Sequence, residues 1–210
     1  MERRSDWNHY EYVYGEGARA RVDFDVMAAV LPDDEGKNCL RVVCADDMVP
    51  AVEGALAAVE GRLVGTLAYA GQQEWVVWTD LEQVPASLGS RVGVQAQLVP
   101  GRDYTADRVF PDPADWRRIE DREAIQRLGL LDLDGDGILR VLHRFVGSEA
   151  ALGAIAERLA SESFTPVDRG DGRMTLAHEH PIERISEITL GLQRLSEARG
   201  VAYDGWVLPG

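Results

Sequence analysis

Three histidines and one run of aspartates are the residues in this 210-residue chain whose types and spacing could do chemistry. His178 and His180 stand two apart, so on a strand their rings share a face with Met174 and Leu176. His143 shares a face with Leu139, Val141 and Phe145 on a strand spanning 138–146. The two strands are expected to be parallel neighbours in one sheet, which would bring the three imidazoles together near its edge. Such a trio could ligate zinc. No carboxylate or thiol obviously joins that face: Glu179 points the other way, and Asp204 is the nearest candidate. Partly buried histidines held by backbone hydrogen bonds, with no metal, are therefore the favoured reading.

The aspartates lie in Asp132-Leu-Asp134-Gly-Asp136-Gly137, with Leu139 following, which matches the opening of a calcium loop. The twelfth position, where that loop needs a bidentate carboxylate, is His143, and the segment beyond reads as a strand. A helix-to-strand turn built from Asp and Gly is the favoured reading. For covalent catalysis the sequence offers no Gly-x-Ser-x-Gly, and neither cysteine has a histidine close in sequence. No glycine-rich phosphate loop follows a strand. The chain reads as non-catalytic, with no cofactor and no metal.

The most specific local pattern closes the chain: Tyr203-Asp204-Gly205-Trp206, after an amphipathic helix stopped by Gly200. The expectation is a strand inside the sheet beside the strand that carries His143. The Asp-Gly step is expected to make a bulge or a close backbone approach. Regular pairing would put Tyr203 and Trp206 on opposite faces, leaving an aromatic edge for a partner.

The elements that must position these residues recur in the same order twice. Alternation around Gly15-Glu16-Gly17 predicts an N-terminal hairpin. A strand at Leu40–Cys44 follows, then a helix capped by Asp46 or Asp47 with Pro50 in its first turn. A second hairpin spans Leu63–Ala70 and Trp75–Thr79, then a short helix after Pro85 and a strand over Val92–Val99. The second half offers a strand over 138–146, a helix capped by Ser148, and a hairpin of 164–168 with 174–180. A helix with Ile185, Ile188, Leu192 and Leu195 on one face precedes the closing strand. Each half reads β-α-β-β-α-β, so the expected class is α/β (α+β): two tandem ferredoxin-like sandwiches, the first with an extra hairpin. The proline-rich, aperiodic stretch 100–113 is the expected linker, which divides the chain into domains 1–103 and 104–210. Trp75-Val-Val-Trp78 reads as a strand covered on both faces rather than an exposed aromatic surface.

The formal net charge is −14, shared as −8 over residues 1–110 and −6 over 111–210. Phosphate neutralisation needs clustered Lys and Arg, so direct nucleic-acid binding is disfavoured, and a partner with a basic segment suits the field better. Cys39 and Cys44 lie five apart on a strand and point to opposite sides, which argues against a bridge. With no leader and no apolar run near ~18 residues, the expectation is a cytoplasmic protein with no membrane contact. Oligomeric state stays open.

The closing run Leu192-Gln-Arg-Leu195-Ser-Glu-Ala-Arg-Gly200-Val-Ala-Tyr203-Asp204-Gly205-Trp206 resembles the C-terminal signature of the regulator of ribonuclease activity B family. Arg122-Glu-Ala-Ile-Gln-Arg-Leu128-Gly, the Asp/Gly-rich turn, and the strand with Arg140 and His143 are similar to that family's opening helix, loop and first strand. Val64-Gly65-Thr66-Leu67-Ala68-Tyr69-Ala70-Gly71 is similar to a hairpin in an uncharacterised bacterial domain often fused upstream. The resemblance implies a protein-binding regulator that restrains a ribonuclease E-type endoribonuclease without catalysis, with Tyr203, Asp204, Gly205 and Trp206 as candidate partner contacts. Two other classes stand beside it. One is an immunity-type inhibitor of a basic toxin or nuclease. The other is a metal-dependent enzyme or sensor using the histidine trio or the Asp loop.

Overall fold

Strands in both halves of the chain are set by β-branched and aromatic alternation, and helices by glycine stops and apolar stripes. A computed structural model of the protein describes residues 7–14, 18–30, 38–101, 103–130 and 137–209. The Asp132, Asp134 and Asp136 loop lies outside these residues. The class is mixed α+β, with one six-stranded and one four-stranded antiparallel sheet. Among the described residues no helix is long and apolar enough to cross a membrane.

The chain divides into two compact units, Met1–Asp115 and Trp116–Gly210. The first holds β1 (Trp7–Tyr14), β2 (Ala18–Asp25), α1 (Val26–Val30), β3 (Asn38–Ala45), α2 (Val49–Leu56), β4 (Arg62–Tyr69), β5 (Gln72–Thr79), α3 (Ala86–Gly89), β6 (Val94–Pro100) and α4 (Asp103–Arg108). Its strands run β1-β2-β4-β5-β3-β6. A 3-10 turn over Asp46–Met48 leads into α2, and neither aspartate caps it with its side chain. On one face, Leu40, Val42, Trp75 and Val77 pack with Val52, Leu56 and Leu88.

The opposite face is where the sequence reading of a linker fails. Residues 103–108 form a helix whose Thr105 is fully buried and accepts a hydrogen bond from Trp78 Nε1 at 2.9 Å. Phe110 meets the Trp78 ring edge-on at 5.9 Å. Val109 is fully buried against Gly65, where an added Cβ would stand 2.1 Å from Val109 Cγ1. Helix α4 therefore belongs to the first unit. Its apolar contacts come from Thr, Val and Phe at spacings with no clear helical period, so the pattern concealed it. The two faces together account for the aromatic strand: Trp75 and Val77 are buried in the first cluster, and Val76 and Trp78 are buried on this face. This face also holds Glu74, fully buried, which accepts two hydrogen bonds from Arg41 at 3.1 Å and others from Tyr69 and Tyr104. Burial with this carboxylate beside it pushes the Tyr104 hydroxyl up to about 12. Cys39 and Cys44 are free thiols, Cys44 among the apolar cluster and Cys39 beside Thr105.

Helix α5 (Pro113–Arg127) starts in the last residues of the first unit, and its remainder opens the second, which continues with β7 (Ile138–Val146), α6 (Glu149–Ala160), β8 (Thr165–Gly170), β9 (Arg173–Pro181), α7 (Ile185–Glu197) and β10 (Ala202–Val207). Ser148 caps α6 by accepting from the Ala151 N–H. The strand order is β10-β7-β9-β8. Two expectations change. β7 and β9 are neighbours, but antiparallel, because the tight β8–β9 hairpin reverses the chain after α6 has carried it back. β10 pairs only with β7 and is the outer strand of its sheet rather than an inner one.

Candidate functional site

Alternation on β7 turns Val141, His143 and Phe145 toward α6 and α7, and on β9 it turns Met174, Leu176 and His180 the same way. The antiparallel register sets His143 opposite Leu176, Val141 opposite His178 and Leu139 opposite His180. The three imidazoles are thereby brought together. His143 lies 5.7 Å from His180, and His178 lies 5.5 Å from His180, centroid to centroid. Phe164 continues the row, stacked on His178 at 4.2 Å and 13°. At the other end, His143 Nδ1 is 2.8 Å from the Tyr203 hydroxyl.

His143 is fully enclosed and His180 is 3% exposed. The His180 Nδ1 contact is a backbone carbonyl, Pro181 O at 3.1 Å, so that nitrogen carries the proton and Nε2 keeps a lone pair. His143 Nε2, His178 Nδ1 and His180 Nε2 are buried without a hydrogen bond among the described residues. Burial, and then the neighbouring His180 and His178, pushes the His143 imidazole down to about 3. Burial likewise lowers His178 and His180. All three are neutral at physiological pH. The planes of neighbouring rings differ by 27° for His178 and His180, which stack, and by 33° for His143 and His180, which are tilted. Among the described residues no three His, Cys, Asp or Glu side chains are placed to hold a metal ion. The histidines meet as a row of tilted and stacked rings.

The closing strand supplies the rest of the cluster. Tyr203 pairs with Phe145 and Trp206 with His143, so Asp204 and Gly205 stand opposite the single residue Arg144. Gly205 takes φ 81°, a left-handed value that glycine adopts without cost. This is the bulge expected at the Asp-Gly step, and it removes the opposite faces that regular pairing would give, because it rotates Trp206 onto the same face as Tyr203. Both rings are buried, at 8% and 9% exposure, and offer no open aromatic edge. Asp204 is exposed and stands 3.6 Å from the Arg144 guanidinium.

Trp206 Nε1 donates to Asp121 Oδ1 at 2.8 Å, and Thr189 Oγ1 donates to Asp121 Oδ2 at 2.5 Å. Asp121, 1% exposed on α5, is not among the residues that the sequence reading singles out. The signal for it is its place four residues before Ile125, on the face of α5 that packs into the core. Burial raises its carboxyl above the usual range, opposed by those two hydrogen bonds. The Arg117 guanidinium lies 5.2 Å over the Tyr203 ring.

Where the stack reaches the surface, a cleft of about 420 Å³ opens between α6 and α7. Leu159, Phe164, Ile188 and Leu192 form its apolar wall, and Arg158, Arg184, Glu162 and His178 contribute polar groups. His178 also borders a second hollow of about 440 Å³, with Arg140, Ser163, Thr165 and Glu179.

The chain matches no protein-family model and no curated protein. Among solved structures, a crystal structure of an unknown protein from Galdieria sulphuraria aligns with 81% of this chain and 98% of its own, at 15% identity and a TM-score of 0.26.

Proposed function

We propose that the protein is a non-catalytic regulator that acts by binding a basic segment of another protein, with an RNA-processing or RNA-degrading enzyme as the partner class. In this reading both units are ferredoxin-like βαββαβ sandwiches. Strand order supports that assignment: β10-β7-β9-β8 is fourth, first, third, second in its unit, and β6-β3-β5-β4 repeats it in the other, with the β1–β2 hairpin added beyond β4. The ribonuclease E-type partner comes from the resemblance of Leu192–Trp206, which here is the glycine-stopped α7 followed by the closing strand.

The observation that carries the binding mode is the charge of −14, spread over both halves of the chain. A field of one sign steers an oppositely charged segment to the surface and weakens with salt. The test measures hydrolysis of a fluorogenic RNA by a ribonuclease E-type endoribonuclease as this protein is added. The expected result is dose-dependent inhibition that fades as ionic strength rises. An unchanged rate would remove the ribonuclease partner, and inhibition indifferent to salt would remove the electrostatic mechanism.

A further inference from the structure

We propose that the cleft between α6 and α7 is a binding site for a small apolar carboxylate. Its volume of about 420 Å³ lies in the range of small-molecule sites, roughly 300–1,000 Å³. The apolar wall comes from side chains that also belong to the core: Leu159, Phe164 and Leu192 are at most 6% exposed. They are held by the sheet and both helices, so the surface is formed in advance and a ligand would not have to order it.

Two features select the ligand. The first is space. Gly191 lines the cleft in the interior of α7, a position where glycine is unfavourable relative to alanine. A Cβ built there meets nothing within 4 Å, so helix packing does not require glycine. The missing side chain leaves the volume open.

The second is the hydrogen-bonding capacity left over at the rim. Glu187 receives both Nε and Nη2 of Arg184, and Glu162 is engaged by Arg158 at 2.6 Å. Arg184 keeps Nη1 clear of Glu187. The unspent donors are Arg184 Nη1 and Arg158 Nε, while Glu162 is engaged through one oxygen and keeps Oε2. The lining thus carries two guanidinium groups against one carboxylate. Donors of this kind recognise a carboxylate, and the apolar wall receives the carbon chain behind it. An ammonium ligand finds only Glu162 Oε2, beside two like charges. His178, neutral and stacked on Phe164, closes the inner end.

The probes are octanoate and, as the same chain with the opposite charge, octylammonium, titrated into the full-length protein and followed by amide chemical shifts. Octanoate is expected to give saturable shifts centred on Phe164, His178 and Gly191, with octylammonium at least about tenfold weaker. Gly191→Leu should fill the cleft and abolish the shifts while the far-ultraviolet circular dichroism stays native. Arg184→Gln, exposed and outside the core, should raise the octanoate Kd about tenfold. No saturable shift, equal binding of octylammonium, or full octanoate affinity in folded Gly191→Leu would each overturn the assignment. Should Gly191→Leu fail to fold, Arg184→Gln and Arg158→Gln decide the question: unchanged affinity in both overturns it, and weakened affinity supports it.

Discussion

Acidification of the wild-type protein beside His143→Leu interrogates the histidine stack directly. The His143 imidazole sits at about 3 in the folded chain against 6.5 when free. Below pH 6.5 the unfolded chain therefore takes up a proton that the folded chain refuses. The stability contribution is present above pH 6.5 and is lost as the pH falls toward 3. At pH 4.5 about two pH units of differential uptake separate the states, which corresponds to about 3 kcal/mol. Because pH 4.5 lies well above the folded value, the result barely moves if that value is one unit higher. His143 has no exposed surface, so no solvent discount applies.

Other groups around the stack shift the absolute curve but not the comparison. His178 and His180 are lowered and act in the same direction. Asp121 is raised, so its contribution is full below 3.8 and is lost as pH rises, partly offsetting the loss on acidification. Glu162, Glu179, Arg184 and Arg117 are present in both proteins. Removing the Tyr203 hydroxyl's partner costs about 1 kcal/mol at every pH in this window, because Tyr203 stays protonated throughout. The assay is urea unfolding followed through the amide signals of β7 and β10, which report the second unit separately. Between pH 7 and 4.5 the wild type should lose about 2–3 kcal/mol more than His143→Leu, narrowing or reversing the variant's deficit. Equal losses in the two proteins would refute the neutral, enclosed His143 on which the reasoning rests.

Trp206→Phe keeps an aromatic ring in place but removes the Nε1 donor to Asp121. It should cost about 1–3 kcal/mol in the same urea assay, and a loss below about 0.5 kcal/mol would mean that Asp121 finds another donor. Gly65→Ala forces a methyl group to within 2.1 Å of Val109 Cγ1, so it should destabilise the first unit by about 1–3 kcal/mol in thermal unfolding. Val109→Ala in the same chain should recover much of that loss, and failure to do so would place the strain elsewhere.

What the sequence made legible was what periodicity encodes. The apolar stripes of α6 and α7, the Ser148 cap and the shared face of His143 with Phe145 follow from spacings of four and two. What it hid was packing between segments distant in sequence. Helix α4 reads as a linker because prolines flank it and its own polar residues carry no period, although Thr105 and the adjoining Val109 are enclosed beneath the sheet. Asp121 shares a helix face with Ile125, which marks it as inward-facing, but nothing local says that it accepts hydrogen bonds from residues 68 and 85 positions away. The histidine trio was found for the right reason, strand alternation, but its direction was wrong. Strand sense depends on the hairpin that follows α6, and side-chain pattern does not record it.

The bulge decides what the closing run can do. A regular strand would have divided Tyr203 and Trp206 between two faces and left one ring for a partner. One extra residue places both under the helices, with the Tyr203 hydroxyl at His143 and the Trp206 N–H at Asp121. Each aromatic is thus tied to a buried titratable group, and any change at either ring alters folding before it can report on binding. Asp204 is different. It is exposed, acidic, and paired with Arg144 only at 3.6 Å across a surface where such pairs contribute little. If the run touches a basic partner, the contact passes through this carboxylate, and Asp204→Ala should weaken that binding while leaving the urea midpoint of the second unit unchanged.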